Sequence, residues 1–297
     1  MSEFNNSAFL KGEVRGVDLS DLGSRVDARC RVNVYTDKGF VNVQLNSPKS
    51  ADTNYAVKLK DKLNEGDKIQ VRGSLEEFFY NDEYRRNISP YVSTANGWGK
   101  NIQIFDKDHE FDNKVATARI SGDVIEVEPF YEDDGEFRLE LTILHFNTYN
   151  RDDRDTPLTR REVLINTMQN FGDYAKRTDR EVDFDALKSL MEDLEVLADE
   201  QVQEIVNIYK SFKKQFSPLM FNINEYHLTA RGEIAEEMQD IQILDNISCG
   251  VYVLNETIID EFGFADGSYN ELRVGKFKGI NENVGNADGT EVDTGGW

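Results

Sequence analysis

The sequence predicts a mainly β chain of two tandem barrels, the second carrying a helical insert. Three observations predict it. Stretches of alternating apolar and polar residues recur through residues 8–105, with a single helical stretch among them. A short pattern from the first of these stretches returns beyond residue 115. Apolar stripes at helix spacing then crowd into residues 159–216.

Phe9-Leu10-Lys11-Gly12-Glu13-Val14-Arg15-Gly16 reads as a strand whose glycines mark sharp bends. In residues 28–36, Ala28, Cys30, Val32 and Val34 fall on one face, and Arg29, Arg31, Asn33 and Tyr35 on the other. Asp37-Lys38-Gly39 turns the chain, after which Val41, Val43 and Leu45 face inward and Phe40, Asn42 and Gln44 outward. Two neighbouring strands therefore place Arg29, Arg31, Tyr35 and Phe40 on one outer surface. Ala51, Tyr55, Leu59 and Leu63 are four apart, which predicts a helix over 51–63 that stops at Gly66. Ile69, Val71 and Leu75 restart the alternation, and Asn81-Asp82 sits where a hairpin reverses. That hairpin carries Phe78, Phe79, Tyr80 and Tyr84 beside Arg85 and Arg86, with Arg72 in the strand that leads into it. Aromatic faces interleaved with guanidinium groups suit stacking on unpaired bases and neutralising phosphates. The plainer reading is a hairpin closing over its own core. Residues 87–93 and 101–105 supply the last strand, interrupted by Asn96-Gly97-Trp98-Gly99. Five strands with a helix between the third and fourth follow the plan of an OB-fold barrel.

Leu10-Lys11-Gly12-Glu13-Val14, the helix before Gly66-Asp67, the run from Ile69 to Leu75 and the aromatic hairpin together resemble the bacterial and phage single-stranded-DNA-binding proteins. The resemblance covers about the first hundred residues and rests on pattern. It implies a groove between the barrel sheet and its fourth-to-fifth-strand hairpin that binds single-stranded DNA or RNA by stacking and basic contacts. The nucleic-acid-binding residues expected are Arg29, Arg31, Tyr35, Phe40, Arg72, Phe78, Phe79, Tyr80, Tyr84, Arg85, Arg86 and Trp98. The usual chain of that family has one barrel and a flexible tail, whereas this one continues into a second folded unit, as a phage-type tandem version would.

Residues 106–113, Asp-Lys-Asp-His-Glu-Phe-Asp-Asn, read as a polar connector between a first unit, 1–105, and a second, 115–280. Ile120-Ser121-Gly122-Asp123-Val124 echoes Leu10-Lys11-Gly12-Glu13-Val14, and Ala230-Arg231-Gly232-Glu233 echoes Val71-Arg72-Gly73-Ser74. The wider spacing of the second pair of echoes is filled by helices. Val163, Thr167 and Phe171 form one stripe, and Leu187, Leu190, Met191, Leu194 and Leu197 another. Asp199 is placed to cap a further helix that turns Val202, Ile205, Val206, Tyr209 and Phe212 inward. Strands return over 219–233, 242–254 and 272–277. Residues 281–297 are glycine-spaced and acidic, and predict a disordered tail. In the resembled family such tails dock on replication partners, so Asp288, Glu291, Asp293 and the terminal Trp297 are the expected partner-binding residues.

The chain carries a formal charge of −22, unevenly spread. Residues 1–105 hold 15 Lys and Arg against 14 Asp and Glu, which leaves 19 against 42 for the remainder. A near-neutral first unit presents a basic face to a polyanion, while the second unit repels one and serves architecture or partners. The same acidity supports a rival, an acidic interaction protein or DNA mimic that binds replication or host proteins; such a mimic has little use for an outward Arg-and-Tyr face. Cys30 and Cys249 lie among apolar residues and read as packing thiols of a reducing compartment. There is no basic-then-apolar leader and no run long enough to span a bilayer, so a cytoplasmic protein is expected. His109, His145 and His227 share no metal-ligand spacing with the cysteines, which predicts no zinc and no other cofactor. Asp152, Asp153 and Asp155 alternate with Arg151 and Arg154 and read as a solvated turn. No phosphate-cradling loop or nucleophile elbow occurs, and an enzyme is not expected.

Overall fold

A computed structural model describes residues 6–20, 26–48, 53–80, 83–92, 97–131, 135–150, 153, 155–216, 222–259 and 265–280. Alternation makes the first strands. β1 (Asn6–Ser20) buries Ala8, Leu10 and Val14, and β2 (Val26–Thr36) and β3 (Gly39–Pro48) bury Cys30, Val32, Val34, Val41, Val43 and Leu45 against them. β-Branched residues at every second position suit a pleated, half-buried surface. Helix α1 (Tyr55–Lys62) begins at Asn54, whose side chain accepts a hydrogen bond from the Val57 amide at 3.1 Å, and it buries Ala56 and Leu59. β4 (Lys68–Tyr80) and β5 (Glu83–Pro90) form a hairpin, and β6 (Ile102–Phe105) pairs with the start of β4. These pairings return on themselves. β1 pairs β2, β2 pairs β3, β3 runs parallel to β5, β5 pairs β4, and β4 comes back to β1.

β7 (Ala116–Tyr131) and β8 (Phe137–Phe146) open a second circuit, and the helices α2 (Arg160–Arg177), α3 (Phe184–Glu195) and α4 (Val202–Phe216) follow before it resumes. Thr159 and Glu162 form a reciprocal capping box at the start of α2, and the Asp183 side chain accepts from the Ala186 amide at the start of α3. β9 (Ile223–Arg231), the short helix α5 (Glu233–Glu237), β10 (Asn246–Ile259) and β11 (Ala265–Ile280) complete the order. β7 pairs β8, β8 pairs β9, β9 runs parallel to β11, β11 pairs β10, and β10 returns to β7. α5 stands between β9 and β10 as α1 stands between β3 and β4.

The circuits meet where β1 pairs antiparallel with β7, Ala8 opposite Ala118. The offset that sets Ala8 on Ala118 also sets Gly12 on Gly122, so at this seam a residue faces its own counterpart. Leu10 opposite Ala116 and Asn6 opposite Ile120 repeat one relation about that point, which is a local twofold. The hairpins exchange in the same sense. The Glu77 side chain on β4 reaches His227 on β9, and the Asn255 amide on β10 donates to the Lys38 carbonyl at 3.0 Å, beside β3. One apolar cluster runs from Ala8 through Val124 to Val274 and so takes in both circuits, while Ile125, Leu144 and Phe146 turn to a second cluster under α2, α3 and α4.

The first echo falls on equivalent places. Both strands shift register two residues later, between Val14 and Gly16 and between Val124 and Glu126. A Cβ on Gly12 would lie 2.5 Å from the Tyr35 carbonyl oxygen, and one on Gly122 2.5 Å from that of Leu144. Gly12→Ala and Gly122→Ala are therefore each expected to destabilise by about 1–3 kcal/mol, read as a lowered urea midpoint, because backbone must yield to the methyl group. The second echo does not. Gly73 lies inside β4 opposite Ala8, whereas Gly232 follows β9 and precedes α5; the residue opposite Ala118 is Val251. The helices consequently sit between the second and third strands of their circuit. Asp199 is not the cap of α4, which starts at Val202, and it pairs instead with Arg161 at 3.1 Å.

Candidate nucleic-acid interface

Register builds the outer face of β2 and β3. Tyr35 lies opposite Phe40, Asn33 opposite Asn42, Arg31 opposite Gln44 and Arg29 opposite Asn46, and β5 extends the row with Asn87 beside Asn42. Arg29 Nε donates to Asn46 Oδ1 at 3.1 Å, and Asn87 Nδ2 to Gln44 Oε1 at 3.3 Å. Arg31 is exposed and Phe40 is 41% exposed, so neither side chain is spent on the core. Tyr35 and Phe40 pack as tilted rings with centroids 5.4 Å apart. Two cations flank that pair, the Arg15 guanidinium 5.4 Å and Lys114 Nζ 5.0 Å from the Tyr35 ring. Asp37 holds Lys114 there. It accepts the Lys114 amide on its carboxylate, and its own amide donates to the Lys114 carbonyl, both at 2.8 Å.

Burial, and then the charge of Arg31, pull the Arg29 guanidinium below its usual value. Two crowded guanidiniums gain from an anion between them, which a phosphate supplies. Glu76, across the face on β4, is pushed up by burial against the pull of Ser89 and Arg29.

The other expected residues are placed differently. Arg72 is exposed on β4 opposite Phe9, on the side of β1 rather than of β3. Phe78 lies opposite Arg85 and Phe79 opposite Tyr84 in the hairpin register. The side chains of Phe78, Phe79, Tyr80 and Tyr84, with all of Asn81 and Asp82, lie outside the described residues, and Arg85 is exposed. Arg86 is buried, with Nε 2.5 Å from Glu77 Oε2, so its guanidinium is already committed to a carboxylate. Its neighbour Ile88 carries the signal: alternation places Arg86 on the same inward side. Trp98 packs edge-on against Tyr55 of α1 at 6.1 Å, under Lys62, away from the β2–β3 face. Asp288, Glu291, Asp293 and Trp297 lie outside the described residues.

Arg15 and Lys114 escaped the sequence reading, although Arg15 continues the outward parity of Lys11 and Glu13. Both cysteines are buried, and burial pushes the thiols up, Cys30 to about 11 and Cys249 to about 12. Among the described residues no group of three or more His, Cys, Asp and Glu is placed to hold a metal, and no helix is long and apolar enough to cross a membrane.

A mainly β chain with a few helices and these pairings has the fold of a known single-stranded DNA binding protein. The solved structure of an internal deletion mutant of that protein from Thermus aquaticus is 12% identical, covers 95% of this chain and 98% of its own, and superposes with a TM-score of 0.51. The wild-type Thermus aquaticus protein gives 12% identity, 95% and 96% coverage and a TM-score of 0.49. At that identity the likeness concerns the fold. No protein-family model matches the chain, and no curated protein matches it.

Proposed function

We propose that this chain is a single-stranded-DNA-binding protein that coats exposed strands in replication or recombination, in a bacterial or phage setting. The observation that carries the reading is the Tyr35–Phe40 ring pair on a strand face, flanked by Arg15 and Lys114, with Arg31 and Arg29 further along the same face of β2. Rings of this kind accept any base, and the cations follow the phosphates, which gives binding without strong sequence preference. The fold shared with a protein named for binding single-stranded DNA supports the same reading. It also supports reading the two strand circuits as tandem OB barrels, residues 1–105 and 115–280. Binding is the whole activity proposed; no catalytic group is assigned. Residues 281–297, with Asp288, Glu291, Asp293 and Trp297, are read as an acidic arm for replication or recombination partners.

Tyr35→Ala in the full chain is expected to weaken binding of a labelled oligonucleotide by roughly 1–3 kcal/mol. Arg31→Ala should lower the slope of log affinity against log salt by about one, since one phosphate contact is lost. Unchanged affinity and slope in variants that remain folded by circular dichroism would remove this face from the site.

A further inference from the structure

We propose that the connector between the two strand circuits is itself part of the nucleic-acid track, carrying the strand from Tyr35 and Phe40 along the outer face of β1 over Phe111, Lys11 and Phe9 toward Arg72. The inference rests on the reading of the protein as a single-strand binder and adds a second binding segment to it.

The connector is pinned to β1. Lys114 sits over Tyr35, and the Lys11 amide donates to the carbonyl of the next residue, Val115, at 2.8 Å. Phe111 is three residues from Lys114, so the two lie within about 11 Å of each other even if fully extended. There Lys11 Nζ stands 5.6 Å from the Phe9 ring and 5.7 Å from the Phe111 ring. Phe105 stacks on His109 at 4.3 Å with planes 14° apart, and Phe111 meets Phe105 and His109 edge-on at 5.6 and 4.9 Å. Arg72 lies directly across from Phe9.

The Phe105 and Phe111 rings pack on one another and on His109 rather than on the protein's interior. Phe9, Phe105 and Phe111 belong to neither apolar core, whereas Ile104, beside Phe105, does pack on one. Half-exposed aromatic rings interleaved with cations, continuous with the Tyr35 pair through Lys114, form a surface that stacks bases. The exposed carboxylates Asp106, Asp108, Glu110 and Asp112 stand in the same connector and repel phosphate. Bases are therefore assigned to Phe111 and Phe105, and phosphates to Lys11 and Arg72.

The test uses the full chain and two labelled single strands, one of about 8 nucleotides, which a single fold accommodates, and one roughly four times as long. Lys11→Ala and Phe111→Leu are the variants, the leucine keeping apolar bulk so that the connector stays packed; urea unfolding checks this. The expected result is that each variant weakens the long strand at least about fivefold and more than it weakens the short one. Tyr35→Ala should weaken both strands. If neither variant alters the long strand, or if both strands weaken equally, the connector is no separate segment and the inference is overturned while the Tyr35 site stands. If the parent chain binds neither strand, the proposed function itself fails, and this inference with it.

Discussion

Glu77→Ala is expected to lower the unfolding free energy by roughly 3–5 kcal/mol, because it leaves a buried guanidinium without its counter-charge. The Glu77 side chain is 1% exposed and that of Arg86 4%. One carboxylate oxygen takes Arg86 Nε, and the other accepts the His227 amide at 2.9 Å and stands 2.8 Å from His227 Nδ1. Among the described residues Arg86 Nη1 is already buried without a hydrogen-bond partner, which adds to the cost of losing the carboxylate. The same change removes one of the ties between β4 and β9, leaving the Tyr226 hydroxyl on the Leu75 carbonyl at 2.7 Å, and so loosens one circuit from the other. Glu77→Gln keeps an acceptor for the His227 amide but loses the charge, and should cost less than alanine. Replacing both Glu77 and Arg86 by apolar residues should recover much of the loss, since the lone charge rather than the lost attraction dominates the cost. Urea unfolding at neutral pH measures all three; a loss under about 1 kcal/mol for Glu77→Ala would contradict the account.

Asp123→Ala should be comparably costly, roughly 3–5 kcal/mol, with a different signature. The Asp123 side chain is 2% exposed and takes Arg160 through two bonds, at 2.5 and 2.7 Å, and Asn246 at 2.8 Å. Arg160 is the first residue of α2, and Asn246 the first of β10. One carboxylate thus ties the helical insert to both β7 and β10. Its removal should loosen residues 160–216 first, so limited proteolysis of the variant is expected to cut there before elsewhere. Equal protection of helices and strands would contradict this anchoring role.

The face of β2 and β3 was legible because a period of two is a local signal. Val32, Val34, Val41 and Val43 point in, and the residues between them, Arg31, Tyr35 and Phe40 included, must point out. The helices were legible for the same reason at their own period, and Val163, Leu187, Leu194, Ile205, Val206, Tyr209 and Phe212 are buried in the second core. What could not be read is non-local. Nothing near Glu77 in sequence announces His227, and nothing near Asp123 announces Arg160, because each pair is brought together only by strand order. The Gly232 echo misled because Ala-Arg-Gly at the end of β9 imitates Val-Arg-Gly inside β4, while the true counterpart at Val251 carries no glycine. Residues 106–113 read as a polar connector because their acids outnumber their rings, and only the chain path shows the Phe111 ring beside Lys11.

The most direct measurement is fluorescence anisotropy of a labelled single-stranded oligonucleotide titrated with the full chain at low and high salt. The account predicts binding at low salt that weakens steeply as salt rises, with a matching duplex bound far less well, since its bases are not free to stack on Tyr35 and Phe40. A folded chain that binds no single strand at about 50 mM salt, or prefers the duplex, would contradict it.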